Sequence, residues 1–289
     1  MVDFRQPLAV IPNLAIHLNR AVNEGVELNK QKDMLPLVGI LNQTLEKDNF
    51  LINLISKELK CKPEEILDFD LFLYPFERGC LTGPNQEFIS STKLDDLSMV
   101  HAGMSALLNS KPGKGSNFLC IFDNEEVGSL SKQGAGAPIL RHILERIMEK
   151  LGKDQEAYQR AVYKSFMISA DMAHSVHPNQ SEKHDPVLHP LMNKGPVIKI
   201  HAGQKYTTDG DSGAVFETLC KQNNIPVQKF VNRSDQAGGS TLGNISTAQV
   251  DIRTVDIGSP MLAMHSMREL AGTHDHSFVT NAFEAFYQL

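Results

Sequence analysis

Asn117-Phe118-Leu119-Cys120-Ile121-Phe122-Asp123-Asn124-Glu125-Glu126 joins a short apolar run to a tight group of acids. An apolar run of this length reads as a buried strand, and the acids stand directly past its carboxyl end. The pattern repeats downstream. Residues 165–169 read as a strand followed by Asp171, and 196–200, 227–231 and 252–257 read as further strands. Between them, 137–151 carries Ile139, Leu140, Ile143, Ile147 and Leu151 at helical spacing. Residues 211–221 open a helix on Asp211 or Ser212 as N-cap, 240–248 reads as another, and 276–287 as an amphipathic closing helix. Strands separated by helices require crossover connections, which predicts an α/β domain with a mainly parallel sheet. In such sheets ligands gather at the carboxyl ends of the strands.

The first 85 or so residues break this rhythm. Helical stretches at 13–23, 49–60 and 63–67 mix with an extended piece at 70–74, so 1–88 is expected to be a smaller unit and 89–289 the larger domain. Apolar residues make up 41% and charged residues 21%, the balance of an ordinary folded chain able to bury a core. A net charge of -6 argues against a nucleic-acid partner, which requires a basic face. No stretch approaches the roughly 20 apolar residues of a membrane span, and Met1-Val2-Asp3-Phe4-Arg5 carries no apolar signal core, so a cytoplasmic protein without a membrane partner is expected. Cys61, Cys80, Cys120 and Cys220 are widely spaced; Cys120 reads as a buried free thiol rather than part of a disulfide framework.

Acids and a histidine stand past strands or open helices in four segments: Asp95-Asp96, Glu125-Glu126, Asp171 and His265. Each has an ordinary reading alone: a helix N-cap for Asp95-Asp96, a solvated turn for 123–126, a hydrogen-bonded core histidine for His265. Together they form a carboxylate and imidazole set suited to zinc, manganese or cobalt rather than to thiolate-bound redox metals. Two adjacent glutamates allow one to coordinate metal while its neighbour moves a proton.

Several long strings resemble aspartyl aminopeptidases, in order along essentially the whole chain. They include Ile11 to Leu18, Phe122-Asp123-Asn124-Glu125-Glu126-Val127-Gly128-Ser129, Ser169 to Asn179, Lys194 to Lys199, Gly239-Ser240-Thr241-Leu242-Gly243, and Asp256 to Glu269. The resemblance implies an α/β zinc-peptidase domain interrupted by an inserted dimerisation domain, of which 1–88 would be the remainder. It implies dimers assembling into a dodecamer, peptide substrates, and two zinc ions per complete active site. It makes Asp95 the carboxylate bridging two metals, Glu125 the general base and Glu126 a ligand of one metal. Asp171 then binds the other metal, and His265 completes the site with Glu126. Lys199 and Tyr206 match positions near the substrate, Lys199 suited to an acidic side chain, and Gly239, Ser240 and Thr241 offer backbone N–H groups to the peptide. His17 corresponds to a histidine that reaches a neighbouring subunit's substrate carbonyl, with a metal-ligand role as the other reading. His174 and His177 are read as structural, with a place behind the metal ligands or at a subunit contact as the other reading.

Two departures stand out. Ala237-Gly238 occupy positions where aspartyl-specific members carry Pro-Cys, which leaves both acidic and broader N-terminal specificity open. The family's His-x-Asp ligand motif precedes the inserted domain, and none of the 11 histidines here has Asp two residues on. The expectation is a metal-dependent aminopeptidase lacking that N-terminal segment. The alternative is a non-catalytic or regulatory homologue with an incomplete metal site.

Overall fold

The structure, a computed structural model, describes residues 1–40, 49–111, 113 and 115–289. The chain divides into two units, Met1–Glu77 and Arg78–Leu289, with the division upstream of the boundary expected near 88. The difference follows from β1 (Cys80–Thr82) and β2 (Phe88–Ser91), which pair antiparallel and belong to a sheet of the second unit.

In the first unit, α1 (Phe50–Leu59) forms as expected and buries Ile55. The predicted helix at 13–23 does not form. Two 3-10 turns, Ile16–Leu18 and Val22–Glu24, stand there, and Leu14, Ile16, Leu18 and Val22 are exposed. A short helix draws its stability from a packed apolar face, and this one has none within its unit. Pro63–Glu65 is likewise a 3-10 turn.

The second unit continues with α2 (Leu94–Asn109), α3 (Ile139–Lys150), α4 (Gln155–Lys164), β3 (Phe166–Ala170), β4 (Ala173–His174), β5 (Val197–Ile200) and α5 (Gly210–Gln222). It closes with β6 (Gln228–Val231), α6 (Leu242–Thr247), β7 (Arg253–Gly258), β8 (Pro260–Leu262), β9 (Glu269–Gly272) and α7 (Thr273–Phe286). A four-stranded sheet runs β3-β7-β5-β6, and a five-stranded sheet runs β1-β2-β9-β8-β4. The expected parallel pairs are present as β3–β7 and β5–β6. They meet through an antiparallel β5–β7 pairing, so the sheet is mixed. Helix α5 is capped by Asp209 instead of Asp211 or Ser212: Asp209 Oδ1 accepts from Ser212 N at 2.8 Å, and Ser212 Oγ accepts from Asp209 N.

Side chains of a strand alternate between faces. Ile198 on β5 and Val255 and Ile257 on β7 enter the main core with Phe216 and Leu219 of α5. Small residues Ala102 and Ala106 on α2 join the same core as Val279, Ala282 and Phe283 of α7. The opposite sheet face carries Ser169, Lys199 and Asp256, all buried, with Ser169 and Asp256 directly paired across β3 and β7. This polar face leads to the site.

Residues 118–122 are not a strand: among the described residues they have no ladder partner. The segment is tied at its ends, where Asn117 Nδ2 donates to Tyr287 O (2.8 Å) and Asp123 N to Gln133 O (3.1 Å). Phe118 and Ile121 remain about half exposed, and Cys120 is exposed instead of buried. All four cysteines are free, Cys220 alone being buried. Among the described residues no helix is long and apolar enough to cross a membrane.

Candidate metal centre

Helix α2 opens irregularly. Lys93 takes a left-handed φ of 54°, and Asp95 and Asp96 have non-helical dihedrals joined by a cis peptide. Asp95 Oδ1 and Asp96 Oδ1 are both buried, ahead of the regular helix. Asp171 directly follows β3, its N–H continuing the ladder to Ile257 O at 3.2 Å. Gly258 permits that approach, since a Cβ there would stand 2.2 Å from Asp171 O. Glu125 and Glu126 sit in a turn closed by Gly128 N donating to Asn124 O (2.7 Å), with Asn124 at φ 62°. His265 lies in the turn after β8 at φ 67°.

These segments converge. Asp95, Glu126 and His265 bring one ligand atom each within 4.8 Å of one another, and so do Asp95, Asp96 and Asp171. Asp95 belongs to both groups. His265 Nε2 lies 3.1 Å from Asp95 Oδ2 and 3.1 Å from Glu126 Oε1. The Asp95 side chain is 3% exposed, whereas Glu126 and His265 are 52% and 63% exposed, so the centre opens to solvent on their side.

The electrostatics are those of crowded acids. Burial first, then the charge of Asp171 and side-chain hydrogen bonding with Glu126 and Asp171, pushes the Asp95 carboxyl up to about 9. Burial and the charges of Asp171 and Asp95 hold Asp96 well above the ordinary carboxylate range. Glu125, in neither donor group, is raised by burial and by Asp171 and Glu126, against the pull of Lys199 and His265. Among the described residues Asp95 Oδ1 and Asp96 Oδ1 are buried without a hydrogen-bond partner. A divalent cation answers each of these features: it neutralises the acids, takes the orphaned oxygens as ligands and accepts the imidazole. The residues present therefore fit zinc.

Lys199 is buried, its Nζ donating to Asp171 Oδ2 at 3.1 Å and standing 5.8 Å from the centre of the Tyr206 ring. Burial works to lower the Lys199 pKa, but the charges of Asp171 and Asp256 more than offset it and the net shift is upward. The sequence suggested an acidic substrate side chain as its partner; here the partner is Asp171. Tyr206 is also buried, and its hydroxyl accepts from Asn232 Nδ2 at 3.2 Å. Gly239 and Ser240 are exposed and Thr241 is buried, the turn being held by Lys205 Nζ on Gly238 O (2.7 Å). Gly243 passes Asp256 so closely that a Cβ would lie 2.5 Å from Asp256 Oδ1. His17 lies on the exposed Ile16–Leu18 turn of the first unit. His174 and His177 enter neither donor group; His177 Nδ1 accepts from Asn179 N at 3.2 Å.

Sequence reasoning missed three residues. Asp96 stands in the acid set with Asp95 but received no role of its own, although its adjacency to Asp95 is a signal. Asp256 is an isolated acid inside the apolar strand Thr254-Val255-Asp256-Ile257. Glu269 closes the string that begins at Met264-His265 and received no role.

Residues 1–287 match the family described as aminopeptidase I zinc metalloprotease (M18). A Clostridium acetobutylicum protein named "Probable M18 family aminopeptidase 2" is 55% identical over 289 residues, 100% of this chain and 67% of that protein. The chain also resembles the structure described as "Cryo-EM structure of the Ape4 and Nbr1 complex", with a TM-score of 0.92 and 36% identity over 99% of this chain and 59% of that one. The S. cerevisiae mApe1 dodecamer superposes with a TM-score of 0.77 at 25% identity, covering 97% of this chain and 62% of that one. The chain thus spans about two thirds or less of the length of each of these relatives.

Proposed function

The chain belongs to the M18 family of aminopeptidase I zinc metalloproteases, and on that premise we propose that it removes N-terminal residues from peptides by metal-dependent hydrolysis. The observation that carries the reading is the pair of donor groups sharing Asp95, with Glu125 beside them and in neither. Asp95, Glu126 and His265 would hold one zinc, and Asp95 and Asp171, with Asp96 adjacent, a second. Manganese or cobalt would suit the same donors. When bound, the metal supplies Lewis-acid polarisation of the peptide carbonyl and eases the ionisation of water.

The remaining chemistry falls to this chain's own side chains. Glu125, with its affinity for a proton raised, takes one from the attacking water and returns it to the leaving amine. Lys199 holds Asp171 in place through its 3.1 Å ion pair. Gly239 and Ser240 lie exposed, where backbone N–H groups can meet the peptide. His17 approaches the substrate of a neighbouring copy in an assembly of dimers, a reading supported by the dodecameric S. cerevisiae relative. In this scheme the first unit, Met1–Glu77, holds most of the 1–88 remainder of an inserted dimerisation domain, and Arg78–Leu289 carries the catalytic domain. A cytoplasmic location accords with the free, widely spaced cysteines.

The test uses zinc-loaded protein and peptides beginning with Asp, Glu, Leu or Ala, each with a free or an acetylated N-terminus. Release of single N-terminal residues from the free peptides alone is expected. Cleavage of acetylated peptides at interior bonds, or no release from any free peptide, would reject the proposal.

A further inference from the structure

Glu269 is the first residue of β9 and is 2% exposed. A carboxylate so buried requires partners, and it has two of an uncommon kind. Its Oε2 accepts the backbone N–H of Asp95 at 3.1 Å, and its Oε1 accepts the backbone N–H of His265 at 2.8 Å. Asp95 has non-helical dihedrals at the start of α2, and His265 sits in a left-handed turn, so neither amide has a helical or ladder acceptor. The carboxylate is itself fixed by the antiparallel sheet, where Glu269 pairs with Ser91. Ser266 Oγ, donating to Arg268 O at 2.7 Å, tightens the loop between His265 and Glu269.

We infer that Glu269 is a positioning residue of the metal centre, clamping the two backbone segments that deliver Asp95 and His265. The inference rests on the zinc reading above and deepens it. Among the described residues Glu269 joins neither donor group, and both its oxygens are engaged by amides, so it acts through the ligands and not as one. Its two charge-assisted hydrogen bonds fix the backbones behind the 3.1 Å approach of His265 Nε2 to Asp95 Oδ2. A centre held in this way meets less ordering cost when zinc arrives, and partners that orient ligands are typically worth about 10- to 100-fold in metal affinity.

The experiment measures the zinc affinity of the 289-residue chain by competition with a chelator of known affinity, alongside circular dichroism. Glu269→Gln keeps the volume but turns one acceptor into a donor facing a backbone N–H. It should weaken zinc by about 10- to 100-fold with the spectrum unchanged. Glu269→Asp keeps the charge with a shorter reach, should lose at least one clamp, and decides the matter alone if Glu269→Gln does not fold. Asp275→Asn is the control. Asp275 is also a buried carboxylate, accepting from Asn193 N (2.5 Å) and Gly195 N (2.8 Å), but it belongs to neither donor group. Its exchange should leave zinc affinity within about twofold of the parent, because it touches no orienting partner of a ligand. Parent-like zinc binding by both Glu269 variants, or an equal loss in Asp275→Asn, would overturn the positioning role alone. A parent chain that binds no zinc would overturn the zinc reading with it.

Discussion

Glu125 and Glu126 are neighbours in sequence with different surroundings. Glu126 lies 3.1 Å from His265 Nε2, whereas Glu125 joins no donor group among the described residues and is raised by burial and nearby acids. Glu125→Gln should therefore lower turnover by about 10²–10⁴-fold while leaving zinc content unchanged, since general bases contribute on that scale. Parallel loss of zinc, read by metal analysis, would exchange the roles of the two glutamates. Lys199 is decided by its partner in the same way. Tied to Asp171, it should affect all substrates alike, so Lys199→Met is expected to depress cleavage of N-terminal Asp, Glu, Leu and Ala peptides in equal proportion. A loss confined to Asp and Glu peptides would return Lys199 to the role of substrate partner.

Among the elements, α7 shows how one buried acid sets an element's dependence on pH. Asp275 near its start is fully buried and accepts the N–H groups of Asn193 and Gly195. Burial nevertheless outweighs those bonds and raises its carboxyl to about 6. Because the folded pKa lies above the unfolded one, the stability it contributes is present below about pH 4 and is lost as the pH rises through about 6. The shift corresponds to about 3 kcal/mol. Urea titrations of the metal-free chain should show Asp275→Asn with a flatter slope of stability between about pH 4 and pH 6 than the parent; superimposable slopes would refute this. The elements also show what could be read from the sequence. Strands β3, β5, β6 and β7 and helices α3, α5, α6 and α7 fall within a few residues of their expected positions, because apolar periodicity and turn residues are local signals. Residues 118–122 and 13–23 did not follow their patterns, because a strand needs a paired neighbour and a short helix a packed face, and neither is local. Among candidate site residues, Asp95, Glu126, Asp171 and His265 were legible as a set of acids and an imidazole drawn from separate segments. Asp256 and Glu269 were not, since their significance lies in contacts across the chain: Glu269 with Asp95 and His265, Asp256 with Thr207 N at 2.5 Å.

At the scale of the whole molecule, the candidate metal centre gathers four carboxylates, three of them partly buried, in a chain already carrying a net charge of -6. Such a cluster opposes folding until a cation neutralises it, so zinc should stabilise the second unit by mass action. At free zinc of about 100 times the dissociation constant the gain is about 2.7 kcal/mol. The two donor groups are unequal. Asp95, Glu126 and His265 provide an imidazole and two carboxylates, the composition of a catalytic zinc site, whereas Asp95, Asp96 and Asp171 offer carboxylates alone. Oxygen-only sets favour magnesium, calcium or manganese, so zinc should be held tightly at the first group and released from the second. The most direct test is metal analysis of the 289-residue chain and its Asp95→Asn variant after zinc loading and exhaustive dialysis. The parent should retain about one zinc per chain, as a three-ligand site implies, and the variant almost none. A parent that retains none, or a variant that retains as much as the parent, would contradict the account.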